Sequence, residues 1–93
     1  HSIHVDRGIG CVTCHGRVDQ MPRTWREEPL FMKWCLDCHR APEEFVRPPE
    51  EVFNMAWEWP RGESQAKEGP KLVEAAGIDQ SNHRLTDCWI CHR

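Results

Sequence analysis

The 93-residue chain contains no tyrosine, few apolar residues and no long apolar run. Apolar residues make up 39% of it and the mean hydropathy is -0.73, so little material is available for a protein core. No run approaches the roughly 18 apolar residues that a membrane-spanning helix needs. The 12 basic residues do not outnumber the 15 acidic ones, which argues against nucleic acid or an anionic membrane surface as the partner. We therefore expect one small domain over residues 1–93, stabilised by something other than a large core.

All six cysteines occur in three copies of one motif, Cys-x-x-Cys-His, and no cysteine is left over. This motif is the attachment site of c-type haem. The two thiols add to the porphyrin vinyl groups, and the adjacent histidine becomes the proximal ligand of the iron. The sequence therefore predicts three covalently bound haems, which would be held by Cys11, Cys14, His15, Cys35, Cys38, His39, Cys88, Cys91 and His92.

Other uses of the cysteines agree less well with this pattern. Two Cys-x-x-Cys pairs can form a tetrahedral zinc site, but zinc does not require a histidine after every second cysteine. A thioredoxin-like motif normally occurs once, near a βαβ pattern that is not visible here. A disulfide framework usually spaces its cysteines more widely. The repeated histidine therefore favours haem.

The rest of the chain predicts a mainly α, small and loop-rich fold organised around the haems. Prolines, glycines and helical spacing of apolar residues mark its elements. The first two motifs are close in sequence and the third follows a long insertion, so the first two haems should share a compact unit. In the first half we expect an irregular lead-in over 1–10, a helical turn over 11–16, a loop over 18–29 and a helix over 30–40. The insertion should contain a helix over 49–59, a surface loop over 60–69 and a short helix over 70–76 ended by Gly77. A last helix should begin with Thr86 as its N-cap, and no strand of consequence is expected.

Three histidines outside the motifs match in number the distal positions of three irons: His1, His4 and His83. Because His1 and His4 are three residues apart, they do not comfortably bind opposite faces of one iron, and we expect them to serve two neighbouring haems. A methionine thioether is the alternative distal ligand and would raise the potential of its haem. The candidates are Met21, Met32 and Met55. Filled distal positions would make the protein an electron carrier, whereas an open iron would allow an enzyme.

The segment His1-Ser2-Ile3-His4, followed by Gly10 to Gly16, is similar to the multihaem class III cytochromes c. That resemblance implies that the first histidine of the pair binds the haem of the next motif and the second binds a neighbouring haem. Further stretches resemble the carboxy-terminal three-haem part of the pentahaem subunit of alternative complex III, a bacterial membrane complex that oxidises quinol. They are Gly16–Met21, Pro29–Arg40, Arg47–Pro48 and Asn54–Trp57. The first two motifs of that subunit have no counterpart here, and residues 77–84 do not match it.

We therefore predict electron transfer through three c-type haems in the periplasm or outside the cell, in a relay subunit of a membrane-associated respiratory or photosynthetic complex. Its expected partners are redox proteins, other subunits of a quinol-oxidising complex or neighbouring copies of itself. The alternatives are a free periplasmic shuttle, a polymerising extracellular wire and, less favoured, a small haem reductase with one open iron. We expect the chain to be a processed form or a fragment of a longer protein.

Overall fold

The computed structural model of the chain describes residues 1–80 and 84–92. This part contains short helices joined by loops, and its strand-like pairing is confined to one antiparallel bridge between Ile9 and Val46. The predicted small, helical and loop-rich fold is confirmed. Within residues 1–80 and 84–92, no helix is long and apolar enough to span a membrane. The α-helices are α1 (Ser2–Asp6), α2 (Cys11–His15), α3 (Met32–Arg40), α4 (Gln65–Ala75) and α5 (Cys88–Cys91); 3-10 turns cover Val18–Gln20, Pro42–Glu44, Pro49–Glu51 and Arg84–Thr86.

A small apolar core connects the segment before the first motif to the long insertion before the third. Ile9, Val46 and Val73 are buried together, with Phe45, Leu72 and Ile78 packed around them. Two backbone hydrogen bonds extend this connection to α2. The amide of Arg47 donates to the carbonyl of Gly8 (2.9 Å), and the amide of Cys11 donates to the carbonyl of Val52 (3.1 Å). The insertion thus supports the start of the first motif.

Helix α4 begins and ends at recognisable capping residues. The hydroxyl of Ser64 accepts a hydrogen bond from the amide of Lys67, which caps the first turn. Gly77, with a φ of 67°, follows the last turn, and the amide of Ile78 donates to the carbonyl of Val73. This is a Schellman ending, in which the left-handed position favours glycine. The prediction that Gly77 stops the helix is confirmed.

The predicted loop over 60–69 is wrong at its second half, which forms the first half of α4. Gly69 and Pro70 usually weaken helices, but here tertiary contacts outweigh their propensities. The Gln65 amide donates to the carbonyls of Glu43 (2.8 Å) and Val46 (2.7 Å). At Gly69 the helix lies so close to Glu43 that a Cβ would stand 2.1 Å from its carbonyl oxygen. Glycine therefore allows the helix to pack.

The predicted helix over 49–59 is also wrong, because only Pro49–Glu51 is helical, as a 3-10 turn. The side chain of Asn54 accepts a hydrogen bond from the amide of Ala56 (3.1 Å), and its own amide donates to Glu51 (2.9 Å). Such asparagine contacts compete with helical hydrogen bonds. The chain consequently turns at Asn54.

Three boundaries differ as well. The expected irregular lead-in contains α1, closed by a hydrogen bond from the amide of Val5 to the carbonyl of His1 (2.9 Å). The helix expected from residue 30 begins at Met32, because Leu30 has a φ of 58° and Phe31 is extended. The N-cap of α5 is Asp87, one residue after Thr86, and its carboxylate accepts from the amide of Trp89.

Candidate functional site

The three Cys-x-x-Cys-His motifs share one local geometry, since both cysteines of each motif lie on a helix. The motifs occupy α2, the second half of α3, and α5 with the following His92. Residues three apart on a helix share a face, so the two thiols of a motif can reach one planar ligand. The cysteines whose side chains are described are free thiols, as attachment requires: Cys11, Cys14, Cys35, Cys38 and Cys88. The side chain of Cys91 lies outside the described part.

Helix α1 brings its two histidines to two different motifs. The ring centres of His1 and His15 are 5.8 Å apart with the rings 22° from parallel, and those of His4 and His39 are 6.3 Å apart at 59°. Two imidazoles bound to opposite sides of one metal ion, each through a bond of about 2 Å, have ring centres about 6 Å apart. Both separations are compatible with two imidazoles that share one iron. His83, the other expected distal ligand, lies outside the described residues.

The thiols of the first two motifs lie near one another. Burial, and to a smaller extent the neighbouring thiols of Cys14 and Cys35, raise the pKa of Cys38 to about 11. The pKa of Cys14 is raised by burial first and then by Cys35. Thiols affect one another in this way only at short range, so the attachment cysteines of α2 and α3 are close in space. Two haems bound there would be neighbours.

Desolvation also lowers the pKa of one histidine of the second pair, His4. Partial burial lowers the pKa of His4, and the facing imidazole of His39 lowers it further. The neutral imidazole is the form that binds metals. His4 is therefore held in its ligating form at neutral pH.

A backbone carbonyl orients the ring of His39. Its Nδ1 lies 2.5 Å from the carbonyl oxygen of Leu85, in the turn before the third motif. Because a carbonyl only accepts hydrogen bonds, Nδ1 carries the hydrogen and Nε2 is free to bind a metal. Leu85 was not among the candidate residues, since no sequence pattern relates a carbonyl to a histidine 46 residues away.

An open, largely apolar pocket of about 150 Å³ lies between the second and third motifs. It places one candidate methionine, Met32, beside His39 and Cys35, whereas Met21 and Met55 belong neither to this pocket nor to the two ring pairs. The pocket is too small for a whole porphyrin, but its apolar walls between two attachment sites could contact a porphyrin edge. The lining residues are Met32, Cys35, Leu36, His39, Leu85, Thr86, Asp87 and Cys88.

The motif helices, free thiols and imidazole pairs fit covalent haem, and the comparison with protein families agrees. The family model of cytochrome c7 and related cytochromes c matches residues 1–93. The chain belongs to this family. Members are multihaem c-type cytochromes that transfer electrons, carry covalent haem and are typically periplasmic or extracellular. The haem interpretation and the electron-carrier prediction are confirmed at this level. No curated protein matches the chain.

Proposed function

We propose that this cytochrome is a three-haem electron-transfer module whose first two irons each have two histidine ligands. The observation that supports this most directly is the separation of the ring pairs His1–His15 and His4–His39, 5.8 and 6.3 Å. With both axial positions filled by protein, an iron exchanges electrons and does not bind a substrate. The chain then needs no acid-base residues for its function.

Each motif has a defined set of residues in this proposal. Cys11 and Cys14 hold the first haem between His15 and His1. Cys35 and Cys38 hold the second between His39 and His4, with the carbonyl of Leu85 fixing the His39 ring. Cys88, Cys91 and His92 hold the third, for which His83 is the expected distal ligand. Met32 is the alternative ligand that the pocket beside His39 favours.

The proximity of the thiols of α2 and α3 supports a direct path for electrons between the first two haems. The pocket between Cys35 and Cys88 supports a continuation of that path to the third motif. An electron could then cross the molecule from either end without bond chemistry. A small chain of this kind serves to connect partners that lie too far apart for direct exchange.

We further propose that the module works outside the cytoplasmic membrane, where covalent haem is attached, as a relay subunit of a membrane-associated respiratory or photosynthetic complex. The likeness of several of its segments to the pentahaem subunit of alternative complex III supports this role. A free shuttle would elute as a monomer in gel filtration. A polymerising wire would elute as a series of oligomers whose size depends on concentration. A relay subunit would instead co-purify with membrane proteins.

The test of the site is an electron paramagnetic resonance spectrum of the oxidised holoprotein, integrated against its haem content. We expect three haems per chain, all as low-spin ferric iron. If about a third of the iron were high-spin, one distal position would be open and the reductase alternative would replace the proposal.

A further inference from the structure

Arg47 has no role in the ligand sets proposed for the three haems, although several contacts fix its position. Its guanidinium is half-buried, and its Nη1 donates to the carbonyls of Asn54 (3.0 Å) and, more weakly, Glu51 (3.4 Å). The guanidinium carbon lies 5.2 Å from the ring centre of Trp57, within the range of a cation–π contact. These contacts hold the positive charge in one place.

That place is beside the first attachment site. A Cβ on Gly10, the residue before Cys11, would stand 2.3 Å from the Cζ of Arg47, so the guanidinium lies directly against the backbone at this point. Glycine is the residue that permits this approach. Burial lowers the pKa of Arg47, while the nearby Cys11 and Glu51 act in the opposite direction. Arg47 therefore remains a cation in contact with the start of α2.

One donor of this cation is unsatisfied. The Nε of Arg47 is buried and has no hydrogen-bond partner. The carboxylate of Glu51 accepts from Asn54 instead (2.9 Å), and the ion pairs among the described residues join other side chains: Arg17–Asp19, Lys33–Asp37 and Lys71–Glu68. A buried donor without an acceptor destabilises a protein, and more so when it is charged. An anionic acceptor at this position would remove that cost.

We propose that Arg47 is a positioning residue for the first haem, with its Nε–H donating to a propionate oxygen and its charge raising the reduction potential of that haem. The proposal rests on the proposed occupation of Cys11 and Cys14. Guanidinium groups bind carboxylates strongly because the donors match the acceptor geometry. A nearby positive charge also disfavours the ferric form, which carries one more positive charge than the ferrous form. Cys11 itself would be a thioether in the holoprotein and a weak acceptor.

The test compares three charge variants of the holoprotein. Arg47→Gln removes the charge, Arg47→Lys keeps it, and Arg61→Gln removes the same charge from an exposed loop position. Potentials of the three haems are separated by following their NMR signals through a reductive titration, and resonance Raman spectra report hydrogen bonding of the propionates. In Arg47→Gln we expect the potential of the first haem to fall more, relative to wild type, than the potentials of the other two. The propionate bands should change as well. Arg47→Lys should restore most of the potential, and Arg61→Gln should change neither observable.

A fourth variant tests position instead of charge. Gly10→Ala retains Arg47 but displaces its guanidinium, so it should lower the same potential by a smaller amount. If Arg47→Gln does not fold, Arg47→Lys and Gly10→Ala decide the question through the propionate bands. Three bound haems with the first potential and the propionate bands unchanged in Arg47→Gln would overturn the proposal. Equal shifts of all three potentials would overturn it too, since they indicate a general structural effect. Two haems per wild-type chain, with the first motif empty, would contradict the proposed function itself.

Discussion

Removing His4 tests the pairing of axial ligands most directly. In the structure its ring centre lies 6.3 Å from that of His39, and His1 is already beside His15. Replacement by alanine should leave α1 intact, because alanine has the highest helix propensity. We therefore expect His4→Ala to open the distal position of the second iron while the protein remains folded.

The magnitude follows from the number of sites. One open iron among three converts about a third of the ferric haem from low-spin to high-spin. The ferrous protein should then bind about one carbon monoxide molecule per chain, because the gas needs an open axial position. His1→Ala should open the first iron by the same amount, and the double variant should convert about two thirds of the haem. Additive fractions would show that the two histidines serve different irons.

The assay is the integrated paramagnetic resonance spectrum together with the carbon monoxide titration. Met32→Leu is the matched control, since Met32 lies in the pocket beside His39 and is the rival ligand. We expect Met32→Leu to leave all the iron low-spin. The reasoning would be refuted by a fully low-spin His4→Ala protein, and a high-spin third in Met32→Leu together with that result would assign the second iron to Met32. A high-spin third in both variants would leave His4 on the second iron and assign Met32 to the third.

Two further predictions concern stability. Gly69→Ala should destabilise the holoprotein by about 2 kcal/mol, because overpacking against the Glu43 carbonyl outweighs the propensity gain of about 1 kcal/mol; the melting temperature should fall by about 10 °C. Ala66→Gly, at an exposed site of the same helix, measures the effect of helix propensity alone and is the control. If Gly69→Ala were more stable than the wild type, the packing argument would be wrong. The haem-free chain should be largely unfolded, because so few apolar side chains are buried among the described residues. Far-ultraviolet circular dichroism checks this, and a cooperative melting transition would contradict it.

The attachment chemistry is determined by the sequence alone. The two thiols and the proximal histidine of each motif are adjacent in the chain, so their spacing is sufficient to predict covalent haem, and the family match agrees. The end of α4 is equally local, because the left-handed residue that stops the helix is Gly77 itself. Such features depend on a few consecutive residues, and their physical causes can be read from the sequence.

The helix errors show where local reasoning fails. Gly69 predicts a loop when considered alone, yet tertiary contacts hold it in a helix, and the absence of a Cβ lets that helix pack against the backbone of Glu43. Asn54 lies in a stretch of helical composition, but its side chain stabilises a turn. At Gly69 the deciding contact comes from a distant part of the chain. At Asn54 it is a local side-chain hydrogen bond that competes with the helix, and the helical composition of the stretch does not reveal it.

Only the tertiary structure decided which groups meet across the site. The histidine count predicted enough distal ligands, and the resemblance implied how they are shared, but the ring pairs depend on where the fold places His1 and His4 relative to α2 and α3. The carbonyl of Leu85 and the guanidinium of Arg47 could not be identified in advance, because both reach the motifs from distant parts of the chain. Covalent attachment is specified by neighbouring residues, whereas axial pairing and the charge around each haem depend on the packing of the folded chain.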